Sequence, residues 1–396
     1  MEPVPLLHFF SAFQSLGGVQ SVLRHQLQED PSRDLESELI VYSEPSRTRF
    51  ERVHFVGPTA LDSLFAARLR VRRIVGRLQP RLAVYHGFWG VPHFSDVDAA
   101  SHRMLVIHGD GPCMKQLPEI SKWLDGILCV SRPLEAHVRD VLPQWDPRRI
   151  GLIPYPVHPP IDTSVPQAPL NDRPLVFGYA GRLARRQKRV ELLPELIRRI
   201  DKLGLPFRFE LLGDGEERSW LEEQLGSDPR IRFHGMLKGE EYWRVMLGWD
   251  AIAYLSDYEG LPISMLEALS MGVIPVFPMI GCGGDDYTAR VDQRLLFQRG
   301  DVQGAASCLA WLGSCPHSVI ATLREQCRSA VKEHLGSGYI DTFNAFARGI
   351  LSLPQIASKV HPRRNVVRDL CPEILHERFV SISNRLGRTL RPPRVR

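Results

Sequence analysis

YEGLPISMLEALSMG, residues 258–272, sets two carboxylates at the mouth of a segment that is otherwise ready for burial. Just upstream, DAIAYLS (250–256) is apolar and β-rich, and its strand empties directly into the turn DYEGLP. Pro262 has the φ of a first helical position and lacks only an N–H that would be unpaired there anyway. The spacing therefore predicts a helix from about Pro262 to Met271, with Gly272 free to close it. A helix start beyond a strand's carboxyl end presents unpaired N–H groups and a partial positive charge, which favours an anion.

The same strand-then-helix rhythm runs outward in both directions. Upstream, PLLHFF (5–10), SELIVYS (37–43), RVHFVG (52–57), RLAVYHG (81–87), RMLVIHG (103–109) and ILCVS (127–131) alternate with amphipathic stretches such as GGVQSVLRHQLQ and LDSLFAARLRVRRIVGRL. LVFGYAG (175–181), FRFELLGDG (207–215), IRFHG (231–235) and VIPVFP (273–278) repeat it after a break, and the chain beyond residue 300 reads as helical. Alternation of this kind predicts mainly parallel sheets covered by helices. The break is PVHPPIDTSVPQAPLNDRP (156–174), whose six prolines in nineteen residues mark a linker. The expectation is an α/β protein of two Rossmann-like parallel-sheet domains facing a central cleft, over 1–165 and 174–352, with C-terminal helices and a basic extension over 353–396.

Composition excludes several classes. The chain has 396 residues, 43% of them hydrophobic, enough for more than one core. Its net charge of +5 is uneven: residues 359–396 hold ten Lys or Arg against three Asp or Glu, so the body sums to −2. A near-neutral body argues against a nucleic-acid partner. Seven scattered cysteines with no C-x-x-C argue against a disulfide framework or a structural zinc site. The first residues lack the basic and apolar regions of a signal peptide, and the expectation is a cytoplasmic chain with a peripheral contact on the inner face of a membrane.

Glu259 and Glu267 flank the expected helix start from opposite sides, which suits a ligand with hydroxyls at both ends of a diphosphate, such as a nucleotide sugar. A first-turn acid at Glu259 and a solvated face residue at Glu267 is the plainer alternative, left open by these residues alone. EGLPISMLEALSMG also resembles the E-x7-E segment of the family-4 retaining glycosyltransferases of the GT-B fold. LGGVQSVL, VIHG, LDGILCVSRPLEAHV, FGYAGRLARRQKRVELL, LLGDGEER and IRFHGML resemble further segments of that family, in its order, from about residue 6 to about 350.

The resemblance implies roles residue by residue. Glu267 would hold the ribose hydroxyls and Glu259 a hydroxyl of the donor sugar; Leu261 and Ile263 would offer backbone N–H groups to the diphosphate from the turn Gly260-Leu261-Pro262-Ile263, where Pro262 has none to give. Arg182 and Lys188 match the family's phosphate-binding pair, which would stabilise the charge growing on the leaving diphosphate. Lys188 lies one position further from Arg182 than in the commonest form and Arg189 replaces a usual glycine, so either could be the second cation. His108 would contact the donor sugar near its reacting carbon, with His86 a second candidate; Gly17 and Gly18 would let backbone approach a phosphate or the acceptor; and backbone near Gly235 and Met236 would meet the base.

The expected activity is retaining, metal-independent transfer of a sugar from a nucleotide-sugar donor, UDP- or GDP-linked, to a hydroxyl of a saccharide or lipid-linked acceptor in cell-surface polysaccharide or glycolipid synthesis. No cofactor is expected beyond the donor itself. A sugar-nucleotide epimerase on the same fold, or a catalytically inactive nucleotide-sugar-binding paralogue, is the alternative. Asp96-Val97-Asp98 spells D-x-D, but such a triplet arises about once by chance in a chain of this length and lies far from the phosphate segment. ARLRVRRIVGR (67–77) carries Arg68, Arg70, Arg72, Arg73 and Arg77, and either a solvated face or an anionic membrane surface accounts for it.

Overall fold

The computed structural model describes residues 3–14, 17–44, 50–57, 63–98, 100–153, 155–159, 173–336 and 338–356. Most of the proline-rich linker and all of the basic extension beyond residue 356 lie outside the described residues.

Two fully parallel sheets carry the molecule. The first has the order β3-β2-β1-β4-β5-β6-β7, from β1 (Val4–Phe10), β2 (Leu35–Val41), β3 (Val53–Phe55), β4 (Leu82–His86), β5 (His102–Ile107), β6 (Gly126–Cys129) and β7 (Ile150–Leu152). The second has the order β10-β9-β8-β11-β12-β13, from β8 (Leu175–Ala180), β9 (Phe207–Leu212), β10 (Ile231–Gly235), β11 (Ala251–Ala253), β12 (Ile274–Met279) and β13 (Leu296–Gln298). Runs such as RMLVI and LVFGYA are buried almost without a break, because helices cover both faces of a parallel sheet. In each sheet the strand order reverses once, between β1 and β4 and between β8 and β11. Neighbouring crossovers leave toward opposite faces at that point, which opens a crevice at the carboxyl edge. β13, the 3-10 turns over Phe88–Asp96 and the breakup of KQLPEISKWLD into short helical turns around Pro118 are not evident from sequence periodicity.

The helix Gly338–Ser352 crosses back to the first domain, although the sequence assigns it to the second. Its Tyr339 hydroxyl donates to Gln26 Oε1 at 3.1 Å, Arg348 donates to the Arg33 carbonyl at 3.0 Å, and Ile350 is fully buried. The segment after it follows, with Ile356 N donating to Asp125 Oδ1 at 2.7 Å. An amphipathic pattern gives the helix but not the surface that covers its apolar face, and here that surface belongs to the other domain. The chain therefore passes between domains twice, side by side: Val157 N donates to the His334 carbonyl at 2.9 Å in a parallel bridge beside Leu335.

Candidate active site

The opening segment folds nearly as its residues dictate. Pro262 caps the helix Ile263–Ser270, which begins one position after the expected start, and Gly272 follows with φ 78°, a left-handed conformation that glycine adopts freely. Ser264 Oγ donates to the Ala180 carbonyl at 3.0 Å and pairs with the Tyr254 hydroxyl at 2.9 Å, which fixes the helix start against the ends of β8 and β11. Across the cleft the helix Gly18–Glu29 begins after Gly17, whose backbone is extended. A Cβ at Gly18 would lie 2.7 Å from Ile263 Cδ1, so the two helix starts meet. Their unpaired N–H groups and positive ends converge on one region, placed at both switch points. The missing side chain at Gly18 makes room for the other domain's helix.

The domains also touch through backbone. Gly109 and Gly260 form an antiparallel bridge between them, and Asp110 N faces the Glu259 carbonyl at 3.5 Å. A Cβ on Gly260 would come within 2.0 Å of the His108 carbonyl oxygen, so only glycine permits this approach. Leu261 is buried directly behind it.

Glu259 is only 6% exposed. Lys188 Nζ donates to its Oε1 at 2.5 Å, and Gln187 Nε2 donates to its Oε2 at 3.2 Å. A buried carboxylate needs such partners, and Glu259 has them. Arg189 faces elsewhere, with its guanidinium shared between Glu191 at 2.6 Å and Asp257 at 2.9 Å. Of the two candidates, Lys188 therefore lies at the carboxylate and Arg189 in a separate ion-pair network. Arg182 and Arg186 are exposed and form no ion pair among the described residues, Arg182 reaching only Gln187 Oε1 at 3.4 Å.

Glu267 lies on the helix with a partial opening to solvent, and it accepts from the Tyr242 hydroxyl at 2.6 Å. Burial pushes its carboxyl up to about 7 in spite of that hydrogen bond. A freely solvated glutamate does not behave so. Gly235 ends β10 with φ 67°, and Met236 beyond it is 49% exposed.

His108 follows β5 at the cleft edge, as its strand predicts, but its ring is engaged. Its Nδ1 is hydrogen-bonded to the Tyr155 hydroxyl and its Nε2 lies 3.1 Å from His86 Nδ1. Burial pushes the ring down to about 3 and keeps it neutral. The ring thus offers no free nitrogen to a sugar in this conformation, and its backbone lies against Gly260. Asp96 of the D-x-D triplet is buried in ion pairs with Arg68 at 2.9 Å and Arg72 at 2.8 Å, so its role is structural.

Gln187, Tyr242 and Tyr155 complete these contacts, and sequence reasoning missed all three. Gln187 sits inside the quoted cation run GRLARRQKR and was overshadowed by its charges; nothing in spacing links Tyr242 to Glu267 or Tyr155 to His108.

Residues 160–334 match the family model described as glycosyl transferases group 1. A lipopolysaccharide 1,6-galactosyltransferase of Salmonella typhimurium strain LT2 is 30% identical over 121 residues; that stretch covers 28% of this chain and spans about a third, 32%, of the relative. Among solved structures, the pneumococcal O-GlcNAc transferase GtfA, in complex with UDP and GlcNAc, has a TM-score of 0.70 at 10% identity, covering 89% of this chain and 100% of that one. The apo lipopolysaccharide outer core galactosyltransferase WaaB has a TM-score of 0.66 at 17% identity, covering 87% and 99%. At such identities the structures show the fold, which is GT-B.

Proposed function

We propose that this chain, whose second half carries a group 1 glycosyl transferase domain, moves a sugar from a nucleotide-sugar donor to a hydroxyl of a saccharide or lipid-linked acceptor, with retention and without a metal. The observation that carries the reading is the buried Lys188–Glu259 pair beside two convergent helix starts. Helix ends, Lys188 and Arg182 form a fixed positive field where a diphosphate leaving group gains charge, and fixed charges need no reorganisation as the bond breaks. Glu259 accepts a donor-sugar hydroxyl and Glu267 the ribose hydroxyls. UDP bound to GtfA, and the galactosyl transfer named for the Salmonella relative, support a UDP-linked hexose.

The state of Glu259 supports retention without a covalent protein intermediate. Both its oxygens accept hydrogen bonds, one of them from a cation, which lowers its nucleophilicity. The leaving phosphate then takes the acceptor's proton on the face it departs from. Arg73 and Arg77 support an anionic membrane surface near the acceptor domain: on the helix Leu64–Leu78 they continue an exposed stripe at four-residue spacing from Phe65, 43% exposed, and Leu69, 49% exposed. The other three arginines of that run are held within the domain, Arg68 and Arg72 by Asp96 and Arg70 by the Val56 carbonyl.

Thermal unfolding with UDP, GDP, ADP and dTDP tests the donor site, because a ligand of the folded state raises the midpoint by mass action. One nucleoside diphosphate should stabilise the wild type and fail to stabilise Glu267→Ala. Equal stabilisation of both proteins refutes the site. Conversion of the donor's sugar without any acceptor would identify an epimerase instead.

A further inference from the structure

A row of polar side chains lies buried in the first domain, and the transfer just proposed does not use it. From Tyr155, His108 Nε2 meets His86 Nδ1 at 3.1 Å, and His86 Nε2 meets His8 Nδ1 at 3.0 Å. His8 Nε2 has no hydrogen-bond partner among the described residues and faces Asp30 Oδ2 at 3.9 Å. His8 and Asp30 are fully buried and His86 nearly so. The row crosses β1 and β4, the two strands at the switch point, and reaches from the cleft edge to the end of the helix Gly18–Glu29. At its other end, Tyr155 is tied by its backbone to the second crossing, accepting from His334 Nδ1 at 2.6 Å.

A neutral imidazole has one N–H donor and one acceptor nitrogen. Three neutral rings in a row therefore point their hydrogen bonds in one common direction, and the group at the closed end decides which. We propose that Asp30, His8 and His86 are positioning residues that set which ring nitrogen of His108 carries its proton, a role that rests on the cleft being the transferase site proposed above. With Asp30 ionised, His8 Nε2–H points toward it, His86 and His108 carry their protons on Nε2, and Tyr155 donates to His108 Nδ1. Uptake of one proton by Asp30 removes the negative charge that favours His8 Nε2–H and presents a carboxyl O–H toward that nitrogen across the 3.9 Å gap. His8, His86 and His108 then each move their proton to Nδ1, and His108 donates to the Tyr155 oxygen. Each ring stays neutral throughout, and the single added proton resides on the carboxyl.

The surroundings fit a switch of that kind. Burial holds His8 at about 3 and His86 well below its ordinary value, so the rings do not charge near neutrality. Burial pushes Asp30 up to about 7, against the hydrogen bond from Ser37 and the nearby charges of Arg33 and Arg52. Gln26 from the preceding helix and Tyr339 from the helix that crosses back also face Asp30, and Phe343 closes the row over His8 with ring centroids 5.7 Å apart.

The test is long-range proton–nitrogen NMR of histidine side chains, on the full chain without nucleotide, between pH 5.5 and 8.5. His8, His86 and His108 should exchange Nδ1–H for Nε2–H signatures together, with one midpoint near neutrality. Asp30→Asn should abolish the change. Ser37→Ala, which keeps the carboxyl but removes its hydroxyl donor, should raise the midpoint by about one unit. Independent titration of the rings, or an unchanged titration in Asp30→Asn, overturns the proposal. A concerted change in a protein that binds no nucleoside diphosphate would fail the transferase reading and leave the row's behaviour established.

Discussion

Lys188 and Arg189 are adjacent in sequence and differ in everything that matters to the site. Lys188 is paired with a buried carboxylate, so Lys188→Ala leaves Glu259 without its cation and, in the proposed site, removes a partner of the donor phosphate. Donor turnover should fall by about 10²–10³-fold, measured as kcat, with unfolding also made easier. Arg189→Ala breaks only part-exposed pairs to Glu191 and Asp257; turnover should stay within a few fold and stability within about 1 kcal/mol. Glu267 gives a prediction in pH. Its folded-state value of about 7 lies above the ordinary carboxyl value, so its contribution is fully present below about pH 4.5 and is lost as pH rises through about 7. Denaturant unfolding of Glu267→Gln should lack that decline between pH 5 and 8, a difference of about 1–3 kcal/mol after discounting for its partial opening to solvent. An unchanged slope would place the titrating group elsewhere.

Among the elements, the helix Ile263–Ser270 begins at the proposed donor site, and its placement depends on a contact no periodicity reveals. Gly260 must lie against the His108 carbonyl for the two domains to bridge at Gly109. Gly260→Ala forces that backbone apart at a point where no flexible side chain can yield. Small-angle scattering should report a more open molecule, and affinity for the favoured nucleoside diphosphate should drop, with little change in far-ultraviolet circular dichroism. The helix Leu64–Leu78 shows the reverse case, a sequence signal that the fold divides. Five arginines read as one basic face, yet Arg68, Arg70 and Arg72 are held within the domain and Arg77 faces Glu38 Oε2 at 3.8 Å, which leaves Arg73 and the largely exposed Arg77 beside Phe65 and Leu69. Phe65→Ser with Leu69→Ser should weaken sedimentation with anionic vesicles at low salt; an unchanged pellet would remove this stripe from the membrane proposal.

For the molecule as a whole, the helix Gly338–Ser352 decides how the two domains are held. It leaves the second domain beside the first crossing and covers the first domain at Gln26, and the segment after it reaches Asp125. Ile350→Ala, at a fully buried position, should cost about 2–5 kcal/mol. Hydrogen exchange should locate that loss in β1–β7 rather than in β8–β13, although the residue follows both sheets in sequence. Protection lost equally in both sheets would mean that the domains unfold as one unit.

The alternating strands and helices, the two-domain division at the prolines, and the turn from Asp257 through Gly272 are written in local sequence, because parallel strands, proline and helix starts each have a local signature. Lys188 as a partner of Glu259 was half legible, since the cations are visible in GRLARRQKR but not which of them turns inward. The hydrogen bonds of Tyr242 to Glu267 and of Tyr155, His86 and His8 around His108 join residues 22 to 78 positions apart, and no spacing rule spans such gaps. Local sequence determined which elements form and where the helix starts lie. Only the tertiary structure decided which domain owns the last helix, which cation meets which carboxylate, and what a histidine ring at the cleft is free to touch, because each depends on surfaces brought together from distant parts of the chain.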